Sequence, residues 1–261
     1  MLSISLRRFF LCLAVSVGIS VHAEPEIIGK ARAFLGPETT LEAVRSVRYV
    51  GTLVTADPAD LSQQIHARVE IVFQKPSQQR ISIYYEKNTE QTALDGYEGW
   101  HRQQDPTDVT KWRQTLLPPD QIKRLRSNTL ENLSFYRGLE RYGVAVDDAG
   151  AATVDGVACR KLTFTHGVGI VFTRYFDLAT GRLVLTETDG GGSIREQGQL
   201  MAGGARFPRT IVTISKRPNA PAQIVTITFE EIAINETFPQ GFFAVPPFAP
   251  EKPSGMGRIT R

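Results

Sequence analysis

Four histidines and two cysteines are the first residues to test for chemistry in this 261-residue chain. A bound metal needs ligands at close spacing. His66, His101, His166 and Cys159 are scattered, so neither a metal site nor any other cofactor is expected. Ser193, His166 and Asp189 are the residue types of a hydrolytic triad. No G-x-S-x-G elbow precedes a helix, however, and chance accounts for the trio better. Two carboxylate pairs raise the question of acid/base work. Asp147-Asp148 sits in a turn signal, and Glu230-Glu231 places its members on opposite faces of a strand, so both read as solvated charges. His66 falls on the polar side of its strand and His166 precedes a Gly-Val-Gly turn, which makes the first solvent-facing and the second structural. No catalytic residue and no enzyme activity are expected.

The elements that any site must be built on are clearest from Gln64 to Trp100. Ile65, Ala67, Val69, Ile71 and Phe73 alternate with His66, Arg68, Glu70 and Gln74, the period of a half-buried strand. After the Lys75-Pro76 break, Ile81, Ile83 and Tyr85 alternate with Arg80, Ser82 and Tyr84, so a second strand pairs antiparallel with the first. A sheet with one apolar face must cover that face, and what covers it decides the function.

Upstream, Ile27, Ile28, Ala31, Phe34 and Leu35 recur at helical spacing before a Gly36-Pro37 stop. A short helix opened by Thr39 or Thr40 then leads into a strand from Arg48 to Val54. Downstream, Pro119-Asp120 opens a helix carrying Ile122 and Leu125, and Ser127-Asn128-Thr129 interrupts it. Asn128 and Glu131 resemble a capping box for a second helix with Leu130, Leu133 and Tyr136 on one side. Two short helices are therefore expected in the middle of a strand-rich chain. Further strands are read at 158–165, 170–176, 182–188, 193–200, 207–216 and 224–234, with Asp177–Gly181 and Asp189–Gly192 as hairpin turns.

Arg7 and Arg8, the apolar run Phe9–Val21 and the small-x-small pattern Val21-His22-Ala23 read as a secretory leader cleaved after Ala23. Its removal lowers the formal charge from +3 to +1, because two arginines leave with it. A near-neutral chain lacks the concentrated basic face that nucleic acid requires. Only Cys159 then remains, so no intramolecular disulfide forms. The expected organisation is a leader at 1–23, one domain at 24–248, and a flexible basic Pro/Gly tail at 249–261. The fold class is α+β, mostly β: a single curved antiparallel sheet covered by a few short helices.

Three stretches resemble the LolA-like periplasmic lipoprotein carriers. Phe73-Gln74-Lys75-Pro76 resembles the family's basic-Pro turn, Asp95-Gly96-Tyr97-Glu98-Gly99-Trp100 its D-G-x-x-x-W hairpin, and Phe238 to Pro246 its closing F-x-x-G-F-x-x-P segment. The resemblance implies an open half-barrel with a helical lid, a periplasmic location and a cargo of lipid or lipoprotein acyl chains. It also implies a lid latch at the basic residue of the turn, here Lys75, which carries a point charge rather than the planar fork of an arginine.

An apolar cavity with few convergent polar groups suits acyl chains. Its expected lining is Val69, Ile71, Phe73, Ile81, Ile83, Tyr85 and Trp100 from the first sheet wall. The helices add Ile122, Leu125, Leu130 and Leu133, and the later strands Leu162, Phe164 and Phe172. The expected partners are acyl chains and a transient membrane-protein partner, with the chain itself monomeric. The alternative is a non-catalytic envelope interaction or stress-sensing module on the same fold.

Overall fold

The computed structural model describes residues 25–57, 60–108, 110–167, 169–215 and 222–248. The leader and the tail lie outside the described residues. The chain opens with helices α1 (Glu26–Leu35) and α2 (Glu38–Ala43). Strands β1 (Ser46–Asp57), β2 (Asp60–Gln74), β3 (Gln78–Tyr84), β4 (Thr89–Asp95), β5 (Glu98–Gln104) and β6 (Trp112–Leu116) follow as a meander. Helix α3 (Pro119–Ser134) and a 3-10 turn (Leu139–Tyr142) come next. The second half contributes β7 (Ala145–Val154), β8 (Val157–Thr165), β9 (Val171–Asp177), β10 (Leu183–Thr188) and β11 (Ser193–Gln197). A small hairpin of β12 (Leu200–Ala202) and β13 (Ala205–Phe207) precedes β14 (Thr210–Ser215) and β15 (Gln223–Ile234).

Thirteen strands form one antiparallel sheet in the order β6-β5-β4-β3-β2-β1-β15-β14-β11-β10-β9-β8-β7. The sheet curves without closing, so β6 and β7 are its two edges. Helix α3 is the connection between those edge strands, which lays it across the inner face. Curvature is helped where β1 crosses β15. The register slips between Val50 and Gly51, and a β-carbon on Gly51 would collide with the Thr228 carbonyl, so only glycine fits.

Register fixes the faces. Phe73, Ile71 and Val69 stand opposite Gln79, Ile81 and Ile83, and Gln79 touches α3, so these side chains point inward. Two cores form on that face. One packs Val47, Tyr49, Phe73 and Phe229 against α2, the end of α3 and the small hairpin. The other packs Leu162, Phe164 and Phe176 beneath Ile27, Ile28 and Ala31 of α1.

Several expected boundaries shift for local reasons. The strand read at 193–200 breaks at Gly198, which has φ +64°, and the one read at 207–216 breaks at Pro208, which has no N–H to donate. The Asp147-Asp148 pair, read as lying in a turn, belongs to strand β7, and Trp112–Leu116 adds strand β6. Asp148 sits beside a bulge and pairs with Arg160 at 2.6 Å.

Candidate functional site

Helix α3 begins with Pro119 in its first turn and Asp120 beside it, and stops where Phe135 turns left-handed at φ 48°. It is one continuous helix rather than the expected two. The residues read as a break are its sheet-facing side. Thr129 donates its hydroxyl to the Leu125 carbonyl at 2.9 Å and lies 3.2 Å from Gln79 Oε1, and Asn128 donates to the same Gln79 oxygen. Glu131 does not cap. It points into the sheet, with its carboxylate bonded to the Arg174 guanidinium and the His166 ring.

Burial acts to raise the Glu131 carboxyl, but the charge and donors of Arg174 and the His166 ring outweigh it, so its pKa lies below the ordinary carboxylate value. Arg174, raised by Glu131 against the opposing effect of burial, stays charged. At the outer rim Arg124 takes Asp189 bidentately at 2.8 and 3.1 Å, and Arg126 reaches the Gly96 carbonyl at 2.8 Å. Two members of the nominal triad, His166 and Asp189, therefore hold the helix. The far end of α3 is held by α1: Arg32 donates to the carbonyls of Ser134 at 3.1 Å and Phe135 at 2.7 Å while pairing with Glu38.

The latch expected at Lys75 is not made. Its ammonium has no hydrogen bond or ion pair with a described residue. Partial burial lowers its pKa, and the like charges of Arg45 and Arg32 add to that effect.

Beneath α3 lies a cavity of about 240 Å³, walled by Tyr49, Ile71, Phe73, Ile81, Phe172 and Phe229 together with Glu131 and Arg174. It shares Leu35, Tyr136, Leu183, Glu196 and Phe207 with an adjacent outer lobe of about 270 Å³ under α1. The expected lining separates into groups. Ile71, Phe73, Ile81 and Phe172 line the cavity. Val69, Ile83 and Tyr85 share the inner face but continue it past the cavity as an apolar strip with Leu53, Val225 and Ile227. Leu133 is buried in the core at the end of α3, and Leu130 packs with the core under α1. Ile122 fits against Gly99, where a β-carbon would lie 3.2 Å from it, and Leu125 is half-buried one turn on. Leu162 and Phe164 are fully buried under α1, so that end of the inner face is filled by the chain itself.

Trp100 is misplaced in the expected set. It stands opposite Ala93, which stands opposite Arg80, and these three point to the outer face. There Trp100 is covered by the closing segment and donates to the Phe243 carbonyl at 3.0 Å.

Three charged residues that line the cavity went unread in the sequence: Arg206, which sits between Ala205 and Phe207 on β13, and two that alternation marks. Arg174 lies between Phe172 and Phe176, and Glu196 two residues after Ile194, each at apolar parity, which is the signal that marks an inward charge. Burial pushes the Glu196 carboxyl up to about 6 against the opposing pull of Arg174 and Arg182. Because the folded value exceeds the ordinary 4.5, charging Glu196 costs the fold nothing below 4.5 and its full amount above about 6. Replacement by glutamine (Glu196→Gln) should therefore raise unfolding free energy by on the order of 2 kcal/mol near pH 8 and leave it unchanged near pH 4. Urea titrations at both pH values check this, and an equal shift at both would refute the assignment.

No sequence-family model matches the chain, and no curated protein matches it. Its fold is shared with solved structures. A LolA superfamily protein of Nitrosomonas europaea superposes with TM-score 0.54 at 12% identity, over 84% of this chain and 96% of that one. A putative outer membrane lipoprotein-sorting protein domain of Vibrio parahaemolyticus gives 0.52 at 8% identity, over 84% and 95%. A DUF1329 family protein of Desulfovibrio piger gives 0.54 at 9% identity, over 83% and 95%. The fold is LolA-like: an open half-barrel with a helix across its mouth.

Proposed function

We propose that this chain is a carrier that holds lipid acyl chains between the inner face of the sheet and α3. In this reading residues 24–248 form one carrier domain, exported to the periplasm after the leader at 1–23 is cleaved. A transient membrane-protein partner accepts the cargo. The observation that carries the reading is the continuity of apolar surface. The cavity wall of Ile71 and Ile81 runs without a polar break into Val69, Ile83, Val225 and Ile227, and on this strand parity reaches Ile65, which is 58% exposed. A half-exposed apolar track leading into a covered cavity gives a flexible chain both an entry and a seat. Burial contributes about 0.8 kcal/mol per methylene, from which ordering costs are subtracted. A putative outer membrane lipoprotein-sorting protein domain and a LolA superfamily protein with the same fold support the reading.

A fluorescent long-chain fatty-acid probe tests it. The protein should bind the probe saturably, and Ile81→Trp, which fills the cavity without adding charge, should weaken binding about tenfold or more. Trp100→Phe, on the outer face, should leave it unchanged. Absence of probe binding, together with no lipid in organic extracts of protein purified from its envelope, would sink the carrier reading.

A further inference from the structure

The charges that face the cavity are unevenly partnered. In the inner lobe the Glu131 carboxylate is bonded by both Arg174 and His166, and only the Arg174 Nε is left without a partner among the described residues. The outer lobe is lined by Glu196, Arg182 and Arg206 among Phe34, Leu183 and Phe207. The Glu196 carboxylate makes no hydrogen bond or ion pair with a described residue, and neither does the Arg182 side chain. Arg206 donates from Nη1 to the Phe34 carbonyl at 3.0 Å and lies 5.2 Å from the Phe34 ring centre, leaving most of its five N–H donors unused. One carboxylate without a hydrogen bond and two under-used guanidiniums thus face a space of about 270 Å³ that shares its wall of Leu35, Tyr136, Leu183 and Phe207 with the cavity beneath α3.

Each simple class of ligand leaves part of this lobe unsatisfied. A neutral chain would desolvate all three charges while offering none of them a hydrogen bond, leaving only the longer-range attraction of Arg182 for Glu196. A purely anionic head would pair with the arginines and meet the carboxylate with like charge, and a purely cationic head would do the reverse. We propose that the outer lobe is a headgroup pocket for a zwitterionic amphiphile. In it an ammonium donates to Glu196, a phosphate or carboxylate accepts from Arg182 and Arg206, and the acyl chain runs into the inner lobe. Guanidinium groups match the planar oxygen pairs of either anion. A primary ammonium brings three N–H donors to the carboxylate, which a quaternary one lacks. The inference rests on the carrier reading and adds the head to the chain.

Native mass spectrometry with lipids of identical acyl chains separates the possibilities. Phosphatidylethanolamine should bind about tenfold or more tightly than phosphatidylglycerol, with phosphatidylcholine between them. Glu196→Gln, which removes the charge and should keep the fold, should abolish the preference for ethanolamine over choline. Arg182→Met should weaken both zwitterions. Equal binding of all three lipids, unchanged in Glu196→Gln, would overturn the headgroup pocket and leave the carrier standing. Binding of no lipid at all would overturn both. Free phosphoethanolamine that binds where the lipid does not would overturn the amphiphile as the source of the head.

Discussion

Replacing Glu131 by alanine should destabilise the protein by about 3–5 kcal/mol, the cost of leaving one member of a buried ion pair uncompensated. Glu131 is 6% exposed and Arg174 8%. The Arg174 guanidinium also lies 4.7 Å from the centre of the Phe164 ring and 5.3 Å from that of Tyr136, so water cannot replace the lost carboxylate cheaply. Arginine cannot shed its proton to escape. The exposed Arg124–Asp189 pair on the same helix sets the contrast, since breaking it should cost about 1 kcal/mol or less. Replacing both partners of the buried pair, Glu131→Leu with Arg174→Met, should come near wild type because the desolvation penalty leaves with them. The pH dependence has a fixed sign. The Glu131 carboxyl is depressed, so its contribution is present above the ordinary 4.5 and is lost as pH falls through its lower folded value. Urea titrations of the single and double variants at neutral and acid pH measure all of this, with amide exchange of α3 as the local readout. A loss below about 1 kcal/mol in Glu131→Ala would show that the pair is solvated and does not hold the helix.

That pair also shows where the sequence stops being legible. Its partners are 43 residues apart, and no local pattern distinguishes an Asn-x-x-Glu capping box from a helix turn whose polar side faces a sheet. The break read at Ser127-Asn128-Thr129 came from the same ambiguity, because its polar side chains have partners on β3 that periodicity does not show. By contrast, β2 and β3 were readable at once, since each alternates cleanly and the turn between them is short. The latch illustrates a different limit. The resemblance led to a basic residue before a proline, yet the arginine that holds the end of the helix comes from α1, where Arg32 donates to the Ser134 and Phe135 carbonyls. Lys75 lies near Arg32 and is repelled by it. Helix α1 was visible as an apolar stripe, but not that it would plug one end of the half-barrel and leave Leu162 and Phe164 no cavity to line. Residue type finds an inward face, and only topology shows which part of it stays empty.

Trp100→Ala should destabilise the fold by about 3–5 kcal/mol while leaving the affinity of the folded protein for an acyl probe unchanged. Strand parity alone did not say which way this side chain points, and an inward tryptophan beneath the lid would be a cargo contact. The register decides: Trp100, Ala93, Arg80 and Val72 form one row across β5, β4, β3 and β2 on the outer face. The closing segment lies over that row. Phe243 accepts from the Trp100 indole, the Phe242 carbonyl accepts from Arg80 at 3.0 Å, and the Pro246 carbonyl accepts from Gln114 at 2.9 Å. Phe242 stacks on Phe238 at 5.0 Å and is capped at 4.4 Å by Arg80, which also lies 6.0 Å from the Trp100 ring centre, so the segment's aromatic cluster rests on Trp100 as a floor through Arg80 and the Phe243 carbonyl. Truncation removes that floor and orphans a carbonyl, and the segment should become the first part to exchange its amides. Trp100→Phe keeps most of the floor and loses one hydrogen bond, worth about 1 kcal/mol. Probe titrations at a temperature where all variants are folded separate the two placements. A drop in affinity that follows side-chain size at position 100 would put the tryptophan in the cavity, while unchanged affinity with lowered stability keeps it under the closing segment.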